Sequence, residues 1–277
     1  MNKIVVISDN RKQKGPWLTE HGLSIYLETS EYKILLDSGG SSNFIENSDL
    51  AGIDLKEIDY LFLSHGHKDH TGGLDYFLEI NKRAIVLASP YIFSERYFSN
   101  RNGLHEIGFE EYFKIQADRF RFIENYTEVA KGIKIFPCTI SDYLLPKGNL
   151  SLLKGDESNL IPDDFCHELV ITIQDKTKML YTGCAHKGLL NILKASNENT
   201  GANPEIVIGG FHLLDKKNGV NFESDEEIRS ISQTLKYNYP NTKFITGHCT
   251  GDNVQNILKE ELSDRIEFFH SGYTINF

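Results

Sequence analysis

Four potential metal ligands lie within six residues of the chain. His65, His67, Asp69 and His70 follow directly on Tyr60–Ser64, an apolar run that predicts a buried strand. Imidazole and carboxylate groups suit Zn²⁺, Fe and Mn²⁺. On an extended loop, His65 and His67 would share one metal ion, while Asp69 and His70 would hold a second one nearby. The pattern therefore predicts a dinuclear metal site.

Three later histidines share a context, because each follows an apolar strand and at least one glycine. They lie in the segments Gly183-Cys184-Ala185-His186, Gly209-Gly210-Phe211-His212 and Gly247-His248. Loops of this kind often carry functional side chains. We expect all three histidines to lie at the active site. His212 is expected to be a ligand, or a group that polarises the substrate or donates a proton.

A cysteine stands two residues before His186. If the chain stays extended after Gly183, only one of Cys184 and His186 can point toward the metal ions, whereas a turn at Gly183 would change this. We expect His186 to be the stronger ligand and Cys184 to be a thiolate alternative. Of the remaining histidines, His167 and His270 are interpreted as structural, and no role is assigned to His105.

These motifs resemble those of the metallo-β-lactamase superfamily. Residues 64–73 are similar to its HxHxDH signature, and residues 34–40 to its strand and turn ending in Asp and Gly. The resemblance implies an α+β fold, an αββα sandwich with the metal site at one edge of the two sheets. His248 matches the family's last histidine ligand. Cys184 departs from the pattern, since it stands where the family has an Asp that bridges both metals, and the family's GHTPG histidine is missing.

The segments around Cys184, His212 and His248 also resemble one group within that superfamily. The group is typified by the dihydropterin-ribofuranosylaminobenzene-phosphate synthase and includes proteins known as predicted metal-dependent hydrolases. Residues 20–24 are similar to the group's EHGlS stretch. That similarity implies that His21 faces the site and contributes to substrate binding.

The elements that must position these residues follow from apolar periodicity. Short apolar runs predict strands, residues 175–177 predict a hairpin turn, and Ser224 with Glu227 predicts a capping box. Helices are predicted at 225–239, at 251–263, from about Lys187 to Lys194 and from near Leu74. The predicted strands are Ile4–Ile7, Ser24–Glu28, Lys33–Asp37, Tyr60–Ser64, Ala84–Ala88, Ile133–Pro137, Leu169–Gln174, Lys178–Thr182, Glu205–Ile208, Lys243–Thr246 and Ile266–Phe269.

No linker or internal repeat divides the pattern, which predicts a single domain over residues 1–277. Residues 91–130 are rich in aromatic and charged side chains, and we interpret them as a helical excursion packed on the core or as a lid over the site.

Composition and charge exclude several classes of protein. The net charge of −10, without a long run of Lys or Arg, argues against a nucleic-acid partner and, more weakly, against an anionic membrane surface. The four cysteines form no CxxC pair, and no apolar stretch is long enough for a signal segment or a membrane helix. We expect a cytoplasmic enzyme with a small-molecule substrate, and we leave homo-oligomer formation open.

Together these features predict a hydrolase with two divalent transition metal ions, zinc first and manganese or iron as alternatives. The metal ions would activate a hydroxide, Asp69 would orient it and accept its proton, and His212 would protonate the leaving group. The substrate would be a small, anionic ester, phosphoester or amide.

Three other functions are weighed against this one. By resemblance, a synthase would use the same site to activate a pterin pyrophosphate for attack by an aryl carbon. A redox di-iron protein fits less well, because flavodiiron members carry Glu where this chain has His67. A non-catalytic binding module is disfavoured because the first motif is intact.

Overall fold

Strands form where the short apolar runs occur, because β-branched and aromatic side chains pack well on a pleated sheet. The computed structural model describes residues 2–12, 14–108, 117–215 and 222–277. The strands are Lys3–Ser8 (β1), Ser24–Glu28 (β2), Lys33–Leu36 (β3), Tyr60–Phe62 (β4), Ile85–Ala88 (β5), Tyr97–Ser99 (β6), His105–Glu106 (β7), Phe120–Phe122 (β8), Thr127–Ala130 (β9), Ile133–Pro137 (β10), Leu152–Asp156 (β11), Asn159–Pro162 (β12), Leu169–Gln174 (β13), Lys178–Thr182 (β14), Ile206–Gly209 (β15), Lys243–Thr246 (β16), Ile266–Phe268 (β17) and Thr274–Asn276 (β18).

The helices confirm the predicted helical segments and add two in the first half of the chain. They are Asn43–Leu50 (α1), Lys68–Thr71 (α2), Leu74–Ile80 (α3), Leu189–Thr200 (α4), Asp225–Asn238 (α5) and Asp252–Leu262 (α6). The predicted capping box is present: the Glu227 N–H donates to Ser224 Oγ, and the Ser224 N–H donates to the Glu227 carboxylate. Among the described residues, no helix has the length and apolarity that a bilayer crossing requires.

The chain divides into two compact units. The first unit comprises Met1–Asn125, Ser151–Leu169 and Phe269–Phe277, and the second comprises Tyr126–Leu150 and Val170–Phe268. The single domain over residues 1–277 therefore stays a prediction.

The first unit is built on a mixed seven-stranded sheet. Its order is β18-β1-β2-β3-β4-β5-β8, antiparallel from β18 to β3 and parallel from β3 to β8. Helices α1 and α3 contribute Phe44, Leu74 and Phe77 to an apolar core that also contains Leu61 and Val86 from the sheet. A smaller sheet of order β12-β11-β6-β7 belongs to the same unit.

The second unit is built on another mixed seven-stranded sheet, of order β17-β16-β15-β14-β13-β10-β9. The predicted hairpin joins β13 to β14, and β14 to β17 run parallel. Helices α4, α5 and α6 pack Leu193, Ile228 and Leu258 into one core with Val207 and Phe244 of the sheet. Since parallel neighbours end at the same edge, the loops that follow β14, β15 and β16 lie side by side.

Residues 91–130 differ from their prediction. The described part of this range contains short 3-10 turns and the strands β6 to β9, so the predicted helical excursion is wrong there. The consecutive side chains of Tyr97 and Phe98 in β6 are both buried, so this strand is covered on both faces. Residues 109–116 lie outside the described residues, and the lid stays a prediction.

Candidate metal centre

The predicted first group of ligands lies in the turn that follows β4. His65 and His67 come directly after the strand, and Asp69 and His70 lie on the short helix α2. The three histidines are buried, and the ligand atoms of His65 and His67 lie within 4.8 Å of each other. Asp69 Oδ2 lies 3.5 Å from His70 Nε2, and its side chain is 19% exposed. The extended loop predicted for all four residues is therefore wrong at its second half, because the helical turn starts at Lys68.

This helical turn packs closely on the turn after β3. A Cβ on Gly73 would overlap the carbonyl oxygen of Ser38, so a larger residue would force the two segments apart. The Ser38 N–H and the Ser38 hydroxyl both donate to the carbonyl oxygen of His70, at 2.8 and 3.1 Å. The glycines after the histidine motif thus allow the contact that positions His70.

One buried carboxylate orients two of the histidines. Asp37 Oδ2 accepts a hydrogen bond from His70 Nδ1 at 2.6 Å and from Ser64 Oγ at 2.6 Å, and its Oδ1 accepts the Ser64 N–H at 2.7 Å. His65 Nδ1 lies 2.8 Å from Ser64 Oγ. Because the serine has one hydroxyl hydrogen and donates it to Asp37, His65 Nδ1 must be the donor to Ser64 Oγ. Both imidazoles therefore present Nε2 as the atom available to a metal ion.

The protonation state of His65 agrees with this geometry. Burial, together with the positive charges that His70 and His67 would carry, lowers the pKa of His65 well below its ordinary value. A neutral imidazole is the form that binds metal ions.

A second carboxylate and an accessory histidine support His67. Asp163 Oδ2 lies 3.8 Å from His67 Nε2 and accepts from His167 Nε2 at 3.1 Å. His167 Nδ1 accepts the N–H of Gly66, the residue between His65 and His67, at 3.0 Å. Since both of its ring nitrogens are used within the protein, His167 is a positioning residue, in agreement with its interpretation as structural.

The charge on Asp163 is stabilised by these contacts. Burial alone would raise the pKa of its carboxyl, but the hydrogen bond from His167 and the nearby imidazole of His67 outweigh burial and bring the pKa below its ordinary value. Asp163 is thus an anion. In sequence it is not adjacent to the histidine motif, and it does not follow a strand that ends in glycine.

His21 lies beside Asp69, and its role in substrate binding stays a prediction. Its Nε2 atom is 3.5 Å from Asp69 Oδ2, and 73% of its side chain is exposed. The backbone of the same turn is held by the Leu23 N–H, which donates to the carbonyl oxygen of Asp69 at 3.0 Å. His21 can therefore contact a molecule that arrives from solvent while it stays beside Asp69.

The predicted second group of ligands gathers at the edge of the second unit's sheet. The potential ligand atoms of Cys184, His186 and His212 all lie within 4.8 Å of one another, and those of Cys184 and His248 do so as well. The chain is not extended after Gly183, because Ala185 has φ 55° and its N–H donates to Thr182 Oγ1. This turn brings Cys184 and His186 to one side, so they are not mutually exclusive ligands.

A loop that precedes β11 orients the second group. Asn149 Oδ1 lies 3.0 Å from His186 Nδ1, and Asn149 Nδ2 donates to the carbonyl oxygen of His186 at 2.8 Å. A Cβ on Gly148 would lie 2.8 Å from His212 Nε2, so the bare backbone packs on that imidazole. With Nδ1 engaged by Asn149, His186 presents Nε2 in the same way as His65 and His70.

His212 differs from the other histidines of the site. It is buried, and among the described residues neither of its ring nitrogens has a hydrogen-bond partner. Its ring centroid lies 4.2 Å from that of His186. Buried polar atoms without partners are costly, so a group that binds to the nitrogens of His212 would offset this cost.

His248 and Cys249 follow β16. His248 has φ 50°, and the N–H of His212 donates to Cys249 Sγ at 3.3 Å. Burial would raise the pKa of the Cys249 thiol, but the neighbouring Cys184 and His212 and the charge of His248 bring the pKa well below its usual value. Cys249 was not among the predicted site residues, although its sequence position next to His248 could have indicated it.

The remaining histidines have local roles. His270 Nδ1 donates to the carbonyl oxygen of Ser271 at 2.9 Å, in agreement with a structural role, and His105 is exposed in β7. Besides Cys249, sequence reasoning left Asp37, Asn149 and Asp163 without a role in the site. Only Asp37 lies in a motif that the sequence analysis used.

The donor set fits divalent transition metals. The first unit offers buried imidazoles and the Asp69 carboxylate, the second unit offers buried imidazoles and the Cys184 thiol, and three of the imidazoles have Nδ1 held by a protein oxygen. Such second contacts fix the tautomer and ring orientation of metal-binding histidines. Nitrogen, carboxylate and sulfur donors are the ligand types found in zinc, iron and manganese sites.

Comparison with known proteins agrees with the motifs and the fold. The family model of the metallo-beta-lactamase superfamily matches residues 18–134. The 7,8-dihydropterin-6-methyl-4-(beta-D-ribofuranosyl)-aminobenzene-5'-phosphate synthase of Methanocaldococcus jannaschii is 31% identical to this chain, over 95% of the chain and 92% of the synthase.

Solved structures are similar over the full length. Tm1679, a metal-dependent hydrolase of the beta-lactamase superfamily, has a TM-score of 0.82 and 27% identity, covering 100% of this chain and 99% of that one. Zn(2+)-bound PqqB from Methylobacterium extorquens has a TM-score of 0.57 at 15% identity, covering 99% of this chain and 100% of that one, and shows the shared fold. The predicted α+β fold of the metallo-β-lactamase type is therefore confirmed. The chain belongs to the metallo-beta-lactamase superfamily, as its histidine motif, its fold and its relatives together show.

Proposed function

We propose that the chain is a metal-dependent hydrolase that cleaves a small, anionic ester, phosphoester or amide. The observation that carries the proposal is the hydrogen-bond system of Asp37, which holds His65 and His70 with Nε2 available as ligand atoms. The reaction class is supported by superfamily membership and by the 27% identity to a metal-dependent hydrolase.

Two divalent metal ions are part of the proposal, with zinc first and manganese or iron as alternatives. Cys184 supports zinc, because a thiolate is a soft ligand. When bound, such ions acidify water and polarise an oxygen of the substrate. The residues that would hold them are His65, His67, Asp69, His70, Cys184, His186 and His248.

Asp69 is proposed to hold the proton that the attacking water loses. Its partly exposed carboxylate can be reached from solvent, whereas Asp37 and Asp163 are enclosed and already accept hydrogen bonds. Asp69 Oδ2 lies 3.5 Å from His70 Nε2, which is itself buried. A positioned base of this type contributes typically about 10²–10⁴-fold to the rate.

His212 is proposed to donate a proton to the leaving group, and His21 to bind an anionic part of the substrate. The buried imidazole of His212 makes no hydrogen bond through its ring nitrogens within the described residues, which leaves them available to a substrate atom. The exposed imidazole of His21 can donate a hydrogen bond to an anionic group. The acidic net charge supports a small-molecule substrate over a nucleic acid or a membrane, and we retain the cytoplasm as the proposed location.

A synthase is the second candidate function. The observation that favours it is the 31% identity to the M. jannaschii synthase over 92% of that protein. A synthase would use the same metal-binding residues but would have to exclude water from the reacting carbon.

The test is a substrate screen on protein purified without chelator, with phosphomonoesters, phosphodiesters and lactones in ¹⁸O-labelled water. The hydrolase proposal predicts hydrolysis of at least one class, ¹⁸O in the product, and loss of activity on chelation. A coupled product from a pterin pyrophosphate and a ribofuranosylaminobenzene phosphate, with no ¹⁸O-labelled hydrolysis product from any substrate, would favour the synthase instead.

A further inference from the structure

The second unit contains a cavity of about 450 Å³ beside the loop that orients the second ligand group. This volume is within the range of pockets that bind small molecules. Its wall is mostly apolar and includes Leu145, Leu189, Phe211, Leu213 and Ile231. None of the functional side chains described above lines it, so the proposed reaction gives this cavity no role.

The cavity is linked to His212 and His186 through the chain. Phe211 and Leu213 line the cavity on either side of His212, and Gly188 lines it two residues after His186. Residues 143–147 form another part of the wall, and the next residue, Gly148, packs on the His212 imidazole. A molecule in the cavity would therefore contact residues that are adjacent in sequence to His212, the proposed proton donor.

The rim of the cavity is apolar and open. Leu144 is 90% exposed, and Tyr143 and Leu145 are also exposed. Exposed apolar side chains that cluster at one place mark binding sites more often than single ones do.

The polar end of the cavity contains two carboxylates in different states. Lys147 Nζ donates to both oxygens of Glu227, at 2.7 and 2.6 Å, so that carboxylate is neutralised. Glu223 Oε1 accepts the Lys147 N–H at 2.6 Å. Glu223 Oε2 is buried and accepts no hydrogen bond from the described residues. A carboxylate oxygen in this state favours a ligand that brings a donor.

We propose that this cavity is a substrate subsite that takes an aromatic or aliphatic group carrying one N–H or O–H donor, which donates to Glu223 Oε2. The apolar walls bind the body of the group, and the carboxylate selects the donor. This assignment rests on the proposed function, because the group bound in the cavity is taken to be part of the hydrolase substrate. It predicts that the substrate has an apolar group at one side of the cleaved bond as well as an anionic one.

The test uses indole and benzofuran, two probes of nearly equal shape of which only indole has an N–H. Their binding to the full-length protein as purified is measured by ligand-observed NMR titration. We expect indole to bind with a Kd of about 1 mM or tighter, as a good fragment of this size does. Benzofuran should bind about tenfold more weakly, because it leaves Glu223 Oε2 without a donor.

Two variants and a matched control locate the binding. Ser230→Phe, on the cavity-facing side of α5, should weaken indole binding at least tenfold by filling the cavity, whereas Gln233→Phe on the same helix lies outside the lining and should leave it unchanged. Glu223→Gln should bind indole more weakly than the wild type does. Its affinity for indole should exceed its affinity for benzofuran by less than threefold. Undiminished indole binding to Ser230→Phe, equal affinity for the two probes, or no indole binding up to its solubility limit would each overturn the proposal.

The outcome is separable from that of the proposed hydrolase. Metal content is measured on the same wild-type and variant samples, and it should be unchanged in Ser230→Phe. If the hydrolase proposal fails, indole should still bind in the cavity; if the subsite proposal fails, hydrolysis of small esters without an apolar group is unaffected.

Discussion

The carboxylate of Asp37 lies 2.6 Å from Nδ1 of His70, and both side chains are fully buried. The same carboxylate reaches His65 through the hydroxyl of Ser64. One acidic residue at the end of β3 thus sets the tautomer of two histidines that lie about thirty residues later in the chain. This geometry makes Asp37 a determinant of metal affinity although it is not itself among the proposed ligands.

Replacement of Asp37 by Asn should lower metal affinity by about 10- to 100-fold, the usual effect of removing a carboxylate that supports a metal-binding histidine. The amide oxygen can still accept from Ser64 and His70, but its NH2 group then faces the Ser64 N–H, which loses its acceptor, and the negative charge beside His70 is gone. Affinity is measured by competition with a chelating indicator. Asp54→Asn, which replaces an exposed carboxylate that caps a 3-10 turn, is the matched control and should retain full affinity. Equal affinities in the two variants would contradict the role of Asp37.

His167→Ala should destabilise the fold and disturb the first ligand group. The substitution leaves the Gly66 N–H and one hydrogen bond of Asp163 unsatisfied in a buried place, at a cost of about 2 kcal/mol. The free energy of unfolding is measured by urea denaturation of the metal-free protein. His105→Ala serves as control, because His105 is exposed. A His167→Ala protein as stable as the control would show that His167 does not position the loop.

Asp69→Asn should retain the fold and at least one metal ion but lose a factor of about 10² or more in the rate of hydrolysis. The amide keeps the shape of the side chain but cannot hold the proton. Steady-state kinetics and metal analysis on the same sample separate the two effects. Asp75→Asn, an exposed position on α3, is the control. Near-normal turnover in Asp69→Asn would remove this residue from the proposed proton transfer.

For Cys184 and His186, the ligand roles predicted from the sequence differ from those that the structure supports. The sequence predicts His186 as a stronger ligand than Cys184, but the turn at Ala185 lets both side chains point to His212. We therefore expect His186→Ala and Cys184→Ser each to lower metal affinity by about one to two orders of magnitude.

Cobalt substitution distinguishes the thiolate from the imidazole. The cobalt protein should show a thiolate-to-metal charge-transfer band in the near ultraviolet that disappears in Cys184→Ser. Cys166→Ser, which removes a half-buried thiol of the first unit, should keep the band. A band that persists in Cys184→Ser would exclude this sulfur as a ligand.

Much of the fold could be predicted from the sequence, because buried strands leave apolar runs that polar turns interrupt. The hairpin of β13 and β14 has the predicted bounds, and the capping box of α5 was visible as Ser224 and Glu227. The strands of the smaller sheet were not predicted. Their mixed burial, as in Asn159–Pro162, weakens the alternation on which a strand prediction depends.

The site was predictable where its residues are close together in sequence. The histidine motif after β4 is such a case, whereas His167 and Asn149 act on residues 101 and 37 positions away. Contacts of that range arise from the fold as a whole and leave no local pattern. The left-handed conformation of Ala185 is a second example, since alanine has no intrinsic preference for it.

The number of zinc ions that the saturated protein retains tests the central claim most directly. Elemental analysis of protein loaded to saturation with zinc, followed by gel filtration, should yield close to two transition-metal ions per chain, because the proposed ligands are too numerous for one tetrahedral ion. The double variant His65→Ala, His70→Ala should lose both. A saturated wild-type protein that retains only one ion, or none, would contradict the dinuclear centre on which the proposed hydrolysis depends.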